Sequence, residues 1–133
     1  MKPRDIRDLV WFADDDARHE TLFETNQMWA QVVCLQNAQG VGPMTDATSD
    51  AMATVLAGEV AVQVGKSRSR MGQWETVLVT HGEELTIRNA SEEPSVVLLT
   101  LAPPPGAMNS GPDPSETSSE ETATDWSARG RSR

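Results

Sequence analysis

Between Asn26 and Ala102 the apolar residues come in short runs separated by turn-forming residues, and no stretch has the spacing of a long amphipathic helix. Residues 28–36 form a Val-containing apolar run bounded by Asn26 on one side and by Asn37 and Gly40 on the other, which predicts a strand. Residues 52–56 read as a second strand that runs into a turn at Ala57-Gly58. Val60, Val62 and Val64 then alternate with Ala61 and Gln63, the mark of a strand with one covered face. Residues 74–79, 85–88 and 96–101 complete the set, with 21–24 as a short first strand, 65–70 as a polar hairpin tip and His81-Gly82-Glu83 as a turn. Short strands at roughly ten-residue spacing predict an all-β sandwich or barrel.

The two ends of the chain follow different rules. Pro3 followed by Asp5, Ile6, Leu9 and Val10 reads either as a short helix with proline near its first turn or as an arm lying across a sheet edge. Asp14, Asp15 and Asp16 read as a solvated turn, because the spacing and glycine of an EF-hand loop are absent. From Pro103 to the end the chain is Pro, Gly, Ser, Thr and Glu, with Met108 and Trp126 as its large apolar residues. Such a stretch buries too little apolar surface to offset its ordering entropy, which predicts disorder. The expected organisation is an N-terminal arm over 1–17, one barrel over 18–102 and a tail over 103–133, consistent with a length of 133 residues.

Charge and composition narrow the function classes. The net charge is −9, and of 11 basic residues three are Arg129, Arg131 and Arg133 in the tail. The others read as scattered singly, so neither nucleic acid nor an acidic membrane surface is an expected partner. No signal peptide and no apolar stretch of bilayer length is apparent, so the expected location is the cytoplasm. The single cysteine, Cys34, lies in an apolar run and is expected to be a buried, inert thiol.

From Gly40 to Ala102 the chain resembles the cupin family of small double-stranded β-helix (jelly-roll) barrels. Ala57-Gly58-Glu59 matches the turn that closes that family's first motif, and Gly82 and Asn89 match a glycine and the final asparagine of its second. Counting back from Gly58 puts Ala51 at the family's glutamate, with Met44 and Asp46 at its first two histidines. In the second motif Trp74 stands at a glycine position, Thr80 at the proline and Leu85 at the third histidine. The resemblance implies a jelly-roll barrel whose metal-ligand positions are all changed. Imidazole- and carboxylate-bound metals need nitrogen or oxygen lone pairs, which Ala51 and Leu85 lack and Met44 replaces with a soft thioether. No metal and no other cofactor is expected.

Replacing ligands by Ala, Met and Leu makes the site apolar. Either the barrel is a filled scaffold, or it holds a small apolar or amphipathic ligand in a pocket formed by Met44, Asp46, Ala51, Ala53 and Leu85, with Asp46 as its polar handle. Asp46 is otherwise expected at the barrel mouth, bonding nearby backbone. His19 is expected before the first barrel strand and His81 in a surface turn, which leaves no interior histidine. The chain also has no tyrosine, so the metal-independent epimerase arrangement of histidine, carboxylate and tyrosine is not expected. The leading expectation is a non-enzymatic small-molecule binding or regulatory module, working as a homodimer, with Trp11, Trp29 and Trp74 open to either core packing or the dimer interface. The alternatives are a metal-independent isomerase or cyclase using the cavity, and a structural protein that binds partners through its surface and tail, with Trp126 as a docking anchor.

Overall fold

The computed structural model describes residues 1–105, and the statements on structure below concern these residues. A 3-10 turn, Ile6–Leu9, precedes nine strands: β1 (Arg18–Glu24), β2 (Trp29–Leu35), β3 (Gly40–Met44), β4 (Asp50–Ala57), β5 (Val60–Val64), β6 (Ser67–Met71), β7 (Thr76–Val79), β8 (Leu85–Asn89) and β9 (Ser95–Ala102). They form two antiparallel sheets, one of five strands in the order β1-β2-β9-β4-β7 and one of four in the order β3-β8-β5-β6. The expected jelly-roll barrel is what the chain forms.

Alternation of side chains builds the core between the sheets. Trp29, Val33 and Leu35 of β2, Ala51, Ala53 and Val55 of β4, and Val97, Leu99 and Leu101 of β9 point inward from the larger sheet. Val41, Met44, Val60, Val62, Leu85 and Ile87 meet them from the smaller one. Strand β2 is buried at every position, because its outward residues Val32 and Cys34 are covered as well. The cover is the N-terminal arm: Ile6, Leu9, Val10 and Phe12 pack with Leu22, Ala30, Val32, Cys34 and Val96 on the outer face of the five-stranded sheet. Asp5 caps the 3-10 turn by accepting from the Arg7 backbone N–H at 2.9 Å.

One end of the barrel is held shut by a buried asparagine. Asn89 donates from Nδ2 to the carbonyl of Leu35 in the opposite sheet at 3.1 Å and to that of Glu93 at 2.9 Å. Its Oδ1 accepts from the Ser91 N–H at 2.9 Å and the Ser95 hydroxyl at 3.0 Å. Gly58 lies against the same cluster with φ +82°, and a Cβ there would stand 2.5 Å from Ser95 Oγ, so only glycine serves.

Four local expectations change. Strand β1 begins at Arg18, so His19 lies inside it and is buried; its other inward residue, Thr21, is also polar, and this hides the strand from a hydrophobic pattern. Residues 67–70 of the expected hairpin tip over 65–70 belong instead to β6, whose polarity reflects its place at a sheet edge. Trp74 belongs to the turn before β7, not to the strand, and stands at φ +78°. Pro104 and Pro105 are buried and the Ser49 hydroxyl donates to the Pro103 carbonyl, so these prolines join the folded body. The tail expectation for 106–133 lies outside the described residues.

Replacing Asn89 by Ala removes the buried bonds to the Leu35 carbonyl and from the Ser95 hydroxyl, and a buried polar group left without its partner costs about 1–3 kcal/mol. Urea denaturation of Asn89→Ala is expected to show a loss of more than about 2 kcal/mol, against a near-neutral Ser69→Ala on the exposed face of β6.

Candidate functional site

Four of the five positions expected to line a pocket are core. Met44 and Leu85 face each other across the β3–β8 pairing and are 2% and 0% exposed. Ala51 and Ala53, on the inward face of β4, are 2% and 1% exposed and pack in the same cluster. These four positions belong to the buried cluster between the two sheets. Their chemistry does not fit a metal: the buried set offers one thioether and three hydrocarbon side chains.

Asp46 sits half-buried in the loop after β3 and is turned to its own backbone. Its Oδ1 accepts from the Thr48 N–H at 2.8 Å, the Thr48 hydroxyl at 3.0 Å and the Ser49 N–H at 3.0 Å. The Asp46 carbonyl accepts from the Gly82 N–H at 2.8 Å, which ties this loop to the turn before β8. Asp46 thus organises the mouth and does not enter the core with the other four. Trp126 lies outside the described residues.

The two histidines differ in setting. His19, contrary to expectation, is an interior residue of β1, 6% exposed, with Nδ1 2.9 Å from Gln31 Oε1. That partner is a neutral amide, so the pair is not the histidine–carboxylate dyad of an acid–base catalyst. His81 is exposed in its turn, as expected, and both its Nδ1 and its backbone N lie 2.9 Å from Asp50 Oδ1. These bonds, the side-chain one foremost, hold the Asp50 carboxyl below its usual range. Cys34 is buried beneath the N-terminal arm, and desolvation raises its thiol above the ordinary value, which makes it a poor nucleophile.

Space open to solvent occurs at the side of the barrel instead. Strands β6 and β7 are edges of different sheets, and the gap between them is a cleft of about 280 Å³. Val62, Val64, Met71 and Val77 supply apolar surface; Ser67, Ser69, Arg68, Arg70 and Glu75 supply polar groups. The turn that joins these two strands holds Trp74, 72% exposed and at positive φ. A bulky residue in that region is strained, and such strain gathers at functional sites. Hydrophobic patterning alone does not disclose the cleft, since its β6 wall carries one apolar residue, Met71.

The basic residues are also less scattered than they read. Cross-strand register aligns Arg88, Ala61 and Arg70 in one row and Thr86, Gln63 and Arg68 in the next, on the outer face of the smaller sheet.

The fold has solved relatives at low identity. The chain is similar to TT1209 from Thermus thermophilus, with a TM-score of 0.75 at 23% identity, over 77% of this chain and 98% of that one. It is similar to an uncharacterized conserved Klebsiella pneumoniae protein with a double-stranded β-helix domain, with a TM-score of 0.72 at 16% identity over 77% and 90% of the two chains. An RmlC-like cupin from Desulfovibrio desulfuricans gives a TM-score of 0.69 at 18% identity over 77% and 97%. No protein-family model and no curated protein matches the sequence. The chain thus has the cupin-type double-stranded β-helix fold.

If the former ligand positions are true core, Leu85→Ala costs about 2–5 kcal/mol, the range for emptying a packed site. Chemical denaturation is expected to show that loss, and a change well under 1 kcal/mol would instead mean that residue 85 borders solvent (surface substitutions stay within about 0.5 kcal/mol).

Proposed function

We propose that this chain is a non-enzymatic binding module in which the barrel axis is structural and a small amphipathic ligand is taken in the lateral cleft between β6 and β7. The observation that carries this reading is the cleft itself: apolar Val62, Val64, Met71 and Val77 lie beside the Ser67 and Ser69 hydroxyls and the arginines of β6. An apolar floor with few polar groups is the usual composition of a ligand site. Arg68 and Arg70 border the cleft from the outward rows of β6, where they would meet an anionic end of a ligand that protrudes from it. The isomerase or cyclase alternative has less behind it, because the contact of buried His19 at Nδ1 is the neutral amide of Gln31. A regulatory role would follow if the ligand changed the strained turn at Trp74 between the two walls.

The test is fluorescence titration with ANS, an apolar dye carrying a sulfonate. Wild-type protein is expected to bind it and Ser69→Trp, which places an indole in the cleft, to bind at least tenfold more weakly with unchanged unfolding. Equal binding by both would place the dye elsewhere and remove the reading.

A second reading, self-association, is favoured by one row of the larger sheet. Phe23, Ala30, Thr100, Met52 and Leu78 align across its outer face, and Met52 and Leu78 are 44% and 66% exposed. Apolar groups aligned in the open suit a second copy of the same chain. Sedimentation velocity is expected to show a dimer that Leu78→Lys converts to monomer.

A further inference from the structure

The outer face of the four-stranded sheet is a groove of about 450 Å³ lined by Ala61, Gln63, Arg68, Arg70, Thr86 and Arg88. Arg88 and Arg70 stand on either side of the small, exposed Ala61, two strand spacings or about 10 Å apart. Arg68 lies one step along the strand direction, and Lys66 follows at the β5–β6 turn. Arg70 meets Glu59 at 3.4 Å, a loose pair with its own side chain 62% exposed. Neither Arg68 nor Arg88 has an ion pair among the described residues. In a chain of net charge −9, this face concentrates four of the 11 basic residues.

A second observation lies in the sequence that follows the barrel. Past Pro105 the sequence carries Asp113, Glu116, Glu120, Glu121 and Asp125 with no basic residue among them. We propose that this acidic segment, 113–125, docks in cis on the arginine face of the same chain.

Geometry permits it. Pro103 lies beside Ser49 in the loop that Asp46 organises, and Pro104 and Pro105 continue the folded body from there. That is the end of the barrel where Leu85 pairs with Val64, one residue pair from the row that holds Thr86, Gln63 and Arg68. From Pro105 to Asp113 the chain spans at most about 26 Å, enough to round the mouth of a domain this size. The carboxylates are spread over 13 residues, so a segment lying along the groove can set several of them near guanidinium groups. Contacts of this kind at a solvated surface are weak singly, add through multiplicity and are screened by salt.

The test uses the full-length protein and amide NMR. In a variant neutralised at every position (D113N, E116Q, E120Q, E121Q, D125N), the signals of Gln63, Arg68, Arg70, Thr86 and Arg88 are expected to shift from their wild-type positions. Raising the salt of the wild type to about 1 M, where screening acts within ~3 Å, should move the same signals in the same direction. Arg68→Glu with Arg88→Glu should shift the signals of residues 113–125 in return. Wild-type shifts independent of protein concentration support docking in cis, whereas shifts that grow with concentration would place the segment on another copy and overturn it. Signals on the arginine face that ignore neutralisation, or changes confined to another face, also overturn it.

Discussion

The side-chain amide of Asn89 is the point on which this barrel closes. Two sheets packed face to face are held mainly by non-directional apolar contact, which sets no relative position along the strands. Asn89 adds direction: from β8 it reaches the Leu35 carbonyl of the other sheet, the Glu93 carbonyl of the following turn and the Ser95 hydroxyl at the start of β9. The Ser95 hydroxyl, whose one hydrogen goes to Asn89 at 3.0 Å, also lies 3.3 Å from the Glu59 carbonyl, and the bare backbone of Gly58 allows that approach. Every polar atom of the amide is used, so a buried polar residue fixes register at little cost.

The opposite end of β8 is closed by different means. Leu85 stands about 13 Å from Asn89 along the strand, paired with Met44, and both are buried with Ala51 and Ala53 behind them. One end is therefore locked by hydrogen bonds and the other filled by hydrocarbon. Space open to solvent lies between two of the four edge strands, β6 and β7. Cleft, strained tryptophan and arginine face all lie along or beside these two strands. The proposed recognition surface thus occupies the periphery of the fold, where edge strands tolerate serine and arginine.

Much of the architecture is legible in the sequence because its strands obey simple alternation. Val60, Val62 and Val64 declare an inward face, and Gly58, Gly82 and Asn89 mark turns that the structure uses. Legibility fails where inward residues are polar or where a strand is an edge. In β1 the inward His19 and Thr21 carry hydrogen bonds to β2 side chains, which no one-dimensional pattern discloses. In β6 arginines alternate with serines, and an edge strand looks like a turn. Trp74 reads as strand because indole favours strands, while its position is one where a glycine would be at ease. The arginine face is invisible for a plainer reason: residues 70 and 88 are neighbours only through the register of β5 with its two partners. Of the five candidate pocket residues, Met44, Ala51, Ala53 and Leu85 do converge in one buried cluster between the sheets, and Asp46 stays outside it.

Such convergence makes the interior a one-way arrangement. To install a metal here would require imidazoles and a carboxylate at several of these positions together. Any one introduced alone would be an unsatisfied polar group among hydrocarbon, at a cost of about 1–3 kcal/mol or more if charged, with no metal bond yet to offset it. Each half-built site would draw on a stability that for such domains is about 5–15 kcal/mol in all. The barrel interior is thereby isolated from gradual change toward redox or hydrolytic chemistry, and variation that alters what the protein recognises is channelled to its edges.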